Sequence, residues 1–358
     1  MGDSKAEFDK IRASLEAADG ALAEALDARA EAIQALIELR HRDPEGYYAL
    51  PRDAETVRRT RDLVKAFPER AVEPVMREVL SASASLVAPV RVAYVEPEGG
   101  FANAAARLHF GAEAELILCE TALHVLDEVE RQRASYGVVP LETSSDGATT
   151  ATLHGLVRAD VRICGELALP ASYHLLSVAG AEGTVDKIYG APAGIAACER
   201  YVRTYHPQAT VIDVPSAVVA AQFVRDDQTA AAVGNDLVRQ ISGLSVVRER
   251  IEDVAGVETR FAVVGTEHPS RTGHDRTVLA LAVLDEPGAL YHALKAFADR
   301  SVNLTRLESR PTRGEAWRYV FFLELEGHVT DRSVLTALEE LRGTTRFVKV
   351  LGSYPKPV

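Results

Sequence analysis

Between Ala6 and His41 the chain contains one glycine, Gly20, and no proline, while apolar residues return at Phe8, Ile11, Leu15, Ala18, Leu22, Leu26, Ile33 and Leu36. Most of these steps are three or four residues, the spacing of one face of an α-helix. One long helix is therefore predicted. At 1.5 Å per residue it is about 50 Å long, more than a compact domain of under 100 residues covers by itself. A partner chain is the expected cover. After the polar turn RDPEGYYALPRD come two shorter helical stretches, about 54–66 and 69–86, with no strand candidate between them. Residues 1–88 read as an all-helical module.

Pro89 breaks that pattern, and VRVAYV (Val90 to Val95) follows as an apolar β-branched run leading into Pro97, Gly99 and Gly100. Comparable runs recur at Glu115 to Cys119, Tyr136 to Val139, Val161 to Leu167, His174 to Val178, Lys187 to Tyr189, Thr210 to Val214, Thr229 to Val233 and Phe261 to Val264. Ala-rich helical patterns separate several of them, which predicts an α/β domain over 89–268. The polar stretch GTEHPSRTGHDR reads as a linker. Beyond it the pattern is β-α-β-β-α-β, the ferredoxin-like order, over 275–358. Three modules, each large enough for its own core, are expected.

Charge restricts the partners. With 40 Lys+Arg against 52 Asp+Glu the net charge is −12, so nucleic acid and anionic membrane are not expected as partners. No apolar run approaches the roughly 20 residues that span a bilayer. Cys119, Cys164 and Cys198 share no metal spacing and read as free thiols; the N-terminus has no signal-peptide pattern, so the cytoplasm is the expected location. The histidines form no metal or triad signature, and EPEGG is not a dinucleotide fingerprint. No metal and no cofactor are expected.

The C-terminal module carries EPGAL (Glu286 to Leu290), NLTRLESRP (Asn303 to Pro311), W-x-Y-x-F-F (Trp317 to Phe322), EGH (Glu326 to His328) and KVLGSYP (Lys349 to Pro355). Together these resemble the ACT regulatory domain of prephenate dehydratases. YVEPEGGFANAA, YGVVPLETSSDG, GELALP and EDVAGVETRF resemble the dehydratase domain, a periplasmic-binding-protein-like α/β fold, and the helical module resembles the small chorismate mutase domain. In domain order the chain is similar to the bifunctional chorismate mutase/prephenate dehydratase family of phenylalanine biosynthesis.

The resemblance implies chorismate and prephenate as substrates, inhibition by L-phenylalanine, and a homodimer or dimer of dimers. It implies chorismate-binding roles for Arg12, Arg29, Arg40, Asp53 and Ser83. Arginines suit a dicarboxylate because they grip it bidentately. Arg29 and Arg40 lie within about 20° of one helix face while Arg12 sits about 100° around, so one helix cannot aim all three at one ligand. A dimer in which Arg12 reaches the neighbour's pocket resolves this. For the dehydratase the resemblance implies Thr259 at the leaving hydroxyl, Arg260 on a carboxylate, the acidic pair Glu252 and Asp253, and Glu142, Ser144 and Ser216 around the substrate. For the ACT domain it implies that Pro287, Gly288, Ala289 and Leu290 meet Asn303, Glu308, Ser309 and Arg310 across a dimer interface around L-phenylalanine.

Several positions depart from the family pattern. Thr56 and Val57 replace an Arg-Glu pair, and Val87 stands at the glutamine that donates to the ether oxygen. Thr143 and Val257 replace asparagines, Gly190, Ala191 and Ala193 stand in a Ser-His-Pro-Gln motif that keeps Pro192, Ala217 replaces a threonine, and Tyr173 stands where a histidine is usual. One lost preorganised donor costs about 10²- to 10³-fold in rate. Two alternatives therefore stand beside the biosynthetic enzyme: a catalytically degenerate phenylalanine-sensing paralogue, and an enzyme repurposed for a prephenate-like ring. In the helical module the alternative is a retained dimerisation domain.

Overall fold

A computed structural model of the chain describes residues 2–42, 53–178, 185–267, 269–311 and 319–357. The chain divides into two compact units, one made of Met1–Val90 with Arg107–Glu115, the other of Arg91–Ala106 with Leu116–Val358. Among the described residues no helix is long and apolar enough to cross a membrane.

The first unit contains α1 (Gly2–Arg42), α2 (Asp53–Leu63) and α3 (Glu69–Val87). Helix α3 packs on both of the others. Its Pro74 sits inside the helix, in the second turn, where it gives up the bond an N–H there would make to the Arg70 carbonyl. Helix α1 has 41 residues and is thus about 60 Å long, somewhat more than its glycine-poor stretch suggested. Ile33 and Val72 are buried, but Phe8, Ile11, Leu15, Leu22 and Leu26 are all exposed. Among the described residues, the apolar stripe of the N-terminal two-thirds of α1 therefore has no cover. The expected turn after Arg42 lies outside the described residues.

After the first three helices comes one α/β lobe, of which Arg107–Glu115 groups with the first unit and the rest with the second: β1 (Arg91–Val95), α4 (Phe101–Phe110), β2 (Glu115–Cys119), α5 (Ala122–Glu130), β3 (Tyr136–Thr143), β4 (Gly147–Ala148), α6 (Thr150–Arg158) and β5 (Arg162–Pro170). The chain then crosses to a second lobe. This comprises β6 (His174–Ser177), β7 (Lys187–Gly190), α7 (Pro192–Ala197), α8 (Glu199–Tyr205), β8 (Thr210–Asp213), α9 (Ala217–Arg225), β9 (Ala230–Gly234), α10 (Asp236–Ser242) and β10 (Ser245–Arg248). It returns as β11 (Glu258–Gly265), inserted between β5 and β3. Two connections, 171–173 and 249–257, thus join the lobes, and the second lobe has its own five-stranded sheet in the order β10-β6-β9-β7-β8. The short β4 and β10 were not evident as apolar runs, because neither has an apolar stretch long enough to stand out.

The C-terminal segment forms β12 (Asp275–Val283), α11 (Ala289–Ala298), β13 (Leu304–Pro311), β14 (Tyr319–Glu326), α12 (Arg332–Thr344) and β15 (Thr345–Pro355). Its strand order is β13-β14-β12-β15. Trp317, at the start of the expected W-x-Y-x-F-F strand, lies outside the described residues. Alternation splits β12 between two cores. Leu279 and Leu281 pack with Phe297, Leu323 and Leu338 beneath α11 and α12. Val278 and Ala280 face the other way and join Val320, Phe322, Leu351 and Tyr354 in one core with Leu141, Leu153, Leu156 and Ile163 of the first lobe.

The two sheets are continuous. β15 pairs in parallel with β5 at Gly352 and Ile163, which makes one ten-stranded sheet. The C-terminal module therefore shares a core with its neighbour, although composition suggested a core of its own. The linker is short and pinned: the Asp275 carboxylate accepts the Thr272 and Gly273 amides at 2.9 Å and the Thr272 hydroxyl at 2.6 Å.

Candidate active site

In the helical unit, Arg29 and Ser83 come together although 54 residues separate them. The Arg29 Nε donates to Ser83 Oγ at 3.0 Å, and that hydroxyl donates to the Val79 carbonyl at 2.6 Å. Arg12 is exposed and ion-pairs with Glu16, one turn along its own helix. Arg40 lies in α1 and Asp53 begins α2, but their side chains lie outside the described residues. Val57 is half-buried and Val87 is the last residue of α3.

In the α/β lobes the Thr-Arg-Phe segment is the first turn inward of β11. Thr259 pairs with Thr143 on one side and Leu169 on the other, while Arg260 pairs with Glu142 and Ala168. A bulge on the β3 side follows at once, between Arg260 and Phe261. Successive side chains leave opposite faces of a strand, so Thr259 and Phe261 share a face and Arg260 points to the other. Thr259 and Phe261 are both buried.

Arg260 is enclosed by carboxylates. Its guanidinium bonds to Glu142, to Glu166 at 2.6 Å and to Glu324 at 3.1 Å. Burial works against its charge, but Glu324 and Glu166 more than offset this and hold it protonated. Thr259 and Arg260 are therefore neighbours in sequence that face different surroundings, and Glu142 belongs with the arginine.

The other expected residues are anchored by local bonds. Ser144 exchanges bonds with Glu258: its amide donates to the Glu258 carbonyl at 2.8 Å, and its Oγ accepts the Glu258 amide at 3.0 Å. Thr143 Oγ1 accepts the Asp146 amide at 3.0 Å and so shapes the turn that ends at Gly147, where φ is +75°. Ser216 is the N-cap of α9, its hydroxyl accepting the Val219 amide at 3.1 Å. Glu252 accepts the Tyr173 amide at 2.9 Å, and Asp253 accepts the Arg200 and Tyr201 amides at the start of α8. Ala191 precedes Pro192, the first residue of α7.

The β1–α4 loop brings in a residue that sequence reading passed over. Glu96 has φ +79°, in the left-handed region that side chains other than glycine seldom adopt. Its Oε2 accepts the Ala102 amide at 3.2 Å and occupies the space a Cβ on Gly100 would need, 2.7 Å away. Burial raises its carboxyl above the ordinary carboxylate range, against the pull of the Ala102 and Phe101 amides. The loop lies against the second lobe. A Cβ on Gly99 would meet the Val218 and Val238 side chains at 2.8 and 2.9 Å, and Asn235 donates to the Gly99 carbonyl at 2.9 Å. Phe101 packs edge-on against Tyr173, ring centres 5.2 Å apart. Burial, with Cys198, Glu96 and Glu252 adding to it, pushes the Tyr173 hydroxyl up to about 12, so it remains a donor at neutral pH.

In the C-terminal module, Gly288 caps α11 with φ +82°, and Pro287, Ala289 and Leu290 flank that turn. Glu308, Ser309 and Arg310 lie on β13, with Ser309 on the exposed face and Glu308 and Arg310 on the other. Strand β14 stands between β13 and β12, so within one chain the two motifs start from strands about 10 Å apart. The Asn303 amide donates to Glu326 at 3.3 Å.

Residues 92–269 match the prephenate dehydratase family model and residues 277–343 the ACT domain model. The chain is 36% identical over 98% of its length to the bifunctional chorismate mutase/prephenate dehydratase of Aquifex aeolicus, of which it covers 98%. It is 32% identical to that of Pseudomonas aeruginosa, covering 97% of each chain. A crystal structure of prephenate dehydratase from Arthrobacter aurescens in complex with L-Phe superposes with a TM-score of 0.62 at 31% identity, covering 74% of this chain and 90% of that one. With its helical module, two-lobed α/β domain and ferredoxin-like C-terminus in this order, the chain belongs to the bifunctional chorismate mutase/prephenate dehydratase family.

Proposed function

We propose that this chain converts chorismate to prephenate and prephenate to phenylpyruvate, and that L-phenylalanine inhibits it through the ACT domain. The observation that carries the dehydratase reading is the setting of Thr259: a buried hydroxyl on β11, paired with Thr143 beside the 143–147 turn, in a lobe fused to an ACT sheet. Prephenate loses CO2 and its ring hydroxyl as the ring becomes aromatic. From the dianion this yields a monoanion, CO2 and water, and one proton is consumed. Thr259 is placed at the leaving hydroxyl, where an O–H donor stabilises the departing oxygen. The proton is assigned to Glu96, whose surroundings favour the neutral carboxyl and whose helix amides receive the carboxylate left behind.

For the mutase the paired Arg29 and Ser83 support a cationic pocket for chorismate, whose rearrangement needs a held conformer rather than a nucleophile. A homodimer is proposed from two uncovered surfaces, the α1 stripe and the outer edge of β13. The second copy would bring its Pro287–Leu290 turn to Glu308, Ser309 and Arg310. A cytoplasmic location fits the free thiols Cys119, Cys164 and Cys198.

One assay tests the reading: consumption of chorismate and of prephenate by the purified chain, with and without L-phenylalanine. Phenylpyruvate should form from both, and Thr259→Val should lower prephenate turnover about 10²-fold or more. Binding of L-phenylalanine without any turnover would replace the enzyme with the sensing paralogue. A product from prephenate other than phenylpyruvate would point to the repurposed enzyme.

A further inference from the structure

A ring of charges closes across the face of the ten-stranded sheet that lies opposite α11 and α12. Glu142 of β3, Arg260 of β11, Glu166 of β5 and Tyr354 of β15 occupy successive strands. Arg276 of β12, Glu324 of β14 and Arg306 of β13 continue the row, and it closes because Arg306 ion-pairs with Glu142. The Tyr354 hydroxyl donates to Glu166 at 2.9 Å, and Arg276 ion-pairs with the same carboxylate.

We propose that this ring is the relay through which occupation of the ACT site reaches the catalytic strand, with Arg260 acting as a positioning residue for Thr259. The inference rests on the reading of Thr259 and of the L-phenylalanine site given above. At one end, Arg306 and Arg310 both pair with Glu308, on the strand proposed to hold the ligand. Arg310 also donates to the Ala148 carbonyl at 3.1 Å, on the hairpin partner of β3. At the other end, Arg260 is one peptide from Thr259.

Charge makes the response discrete. Glu142, Glu166, Glu308 and Glu324 face Arg260, Arg276, Arg306 and Arg310, so the cluster is neutral and no member can leave without stranding a half-buried charge. A ligand ammonium that takes Glu308 turns Arg306 wholly onto Glu142, and Arg260, which shares Glu142, must re-pair. A cavity of about 190 Å3 lined by Glu166, Arg260 and Arg276 gives the side chains room to do so. The seam beside the ring is firm. Lys349 donates to the carbonyls of Leu156, Val157 and Ala159 at 3.0, 3.0 and 2.7 Å, capping the end of α6. The KVLGSYP motif is thus a docking element, with Lys349, Gly352 and Tyr354 all engaging the dehydratase lobe.

The test uses the full chain with Glu324→Gln and Tyr354→Phe, neither residue being assigned to substrate or ligand. Prephenate turnover without L-phenylalanine should stay within about threefold of wild type, and the calorimetric Kd for L-phenylalanine should be unchanged. The concentration for half-inhibition should rise about tenfold or more, the size of a lost allosteric coupling, and Glu324→Asp should recover part of the response. Tyr354→Phe keeps the ring volume and so serves if Glu324→Gln does not fold. Wild-type inhibition in both variants overturns the relay, as does a Kd that weakens in parallel with inhibition. Wild-type protein that turns over prephenate but ignores L-phenylalanine overturns the regulatory reading itself, and the relay with it.

Discussion

Replacing Gly352 by alanine would place a methyl carbon 2.2 Å from the Ile163 carbonyl oxygen, 2.6 Å from Ile163 Cβ and 2.9 Å from its carbonyl carbon. Two of these three atoms are backbone, so no side-chain rotation relieves the clash. Non-bonded carbons settle at about 3.5 Å or more, so β15 and β5 must part by roughly 1 Å at their only paired position. Overpacking of this kind costs about 1–3 kcal/mol. A cost near 2 kcal/mol in a unit of this size lowers Tm by roughly 4–8 °C. Calorimetric melts of wild type, Gly352→Ala and Gly343→Ala would measure it. Gly343 lies in the last turn of α12 with nothing within 4 Å of a Cβ, so that variant should melt at or above wild type. A Gly352→Ala protein melting within 1 °C of wild type would refute the seam as described.

Four further outcomes are expected. Glu166→Ala removes the carboxylate shared by Arg260, Arg276 and Tyr354 and should destabilise the protein by about 3–5 kcal/mol in urea titrations, because two guanidiniums lose a buried partner. Ser216→Ala should cost about 1 kcal/mol as a lost N-cap, while Ser216→Asp should retain most of the stability. Glu96 has a folded-state pKa raised above its unfolded value, so the folded chain binds the extra proton and its contribution is full below the unfolded value. Wild-type stability should therefore fall as pH rises from about 4.5 through the raised value, whereas Glu96→Gln should show a flatter profile in pH-dependent melts. If Glu96 supplies the proton, Glu96→Gln should also lower prephenate turnover about 10²-fold or more, without weakening L-phenylalanine binding.

Local pattern carried much of the architecture. The glycine-poor stretch after Ala6 gave α1, and the β-branched runs gave most strands within a residue or two, because periodicity reports directly which face of an element is apolar. Motif resemblance brought Arg29 and Ser83 into one proposed pocket, and they do meet. What was not legible depends on long-range register. GELALP reads as a strand, but nothing local says that Glu166 meets Arg260, Arg276 and Tyr354, whose partners lie up to 188 residues away. The resemblance put Thr259 and Arg260 on one ligand; strand alternation sends the two polar side chains to opposite faces. Glu96 was hidden for another reason. In EPEGG, Pro97, Gly99 and Gly100 read as the end of the strand run, yet the left-handed backbone begins at Glu96. The Ser216 cap, by contrast, was open to reading, since serine directly before an apolar helical run is a helix-start signal.

The uncovered stripe on α1 carries a consequence for dilution. If α1 is covered by a second copy, as proposed above, its order follows mass action with that copy. The two chemistries would then obey different concentration laws, the rearrangement fading below the dissociation constant while a lobe-contained dehydration continues. Prephenate supplied from outside would still be consumed when chorismate no longer is, and the ratio of the two activities would report the association state of the protein.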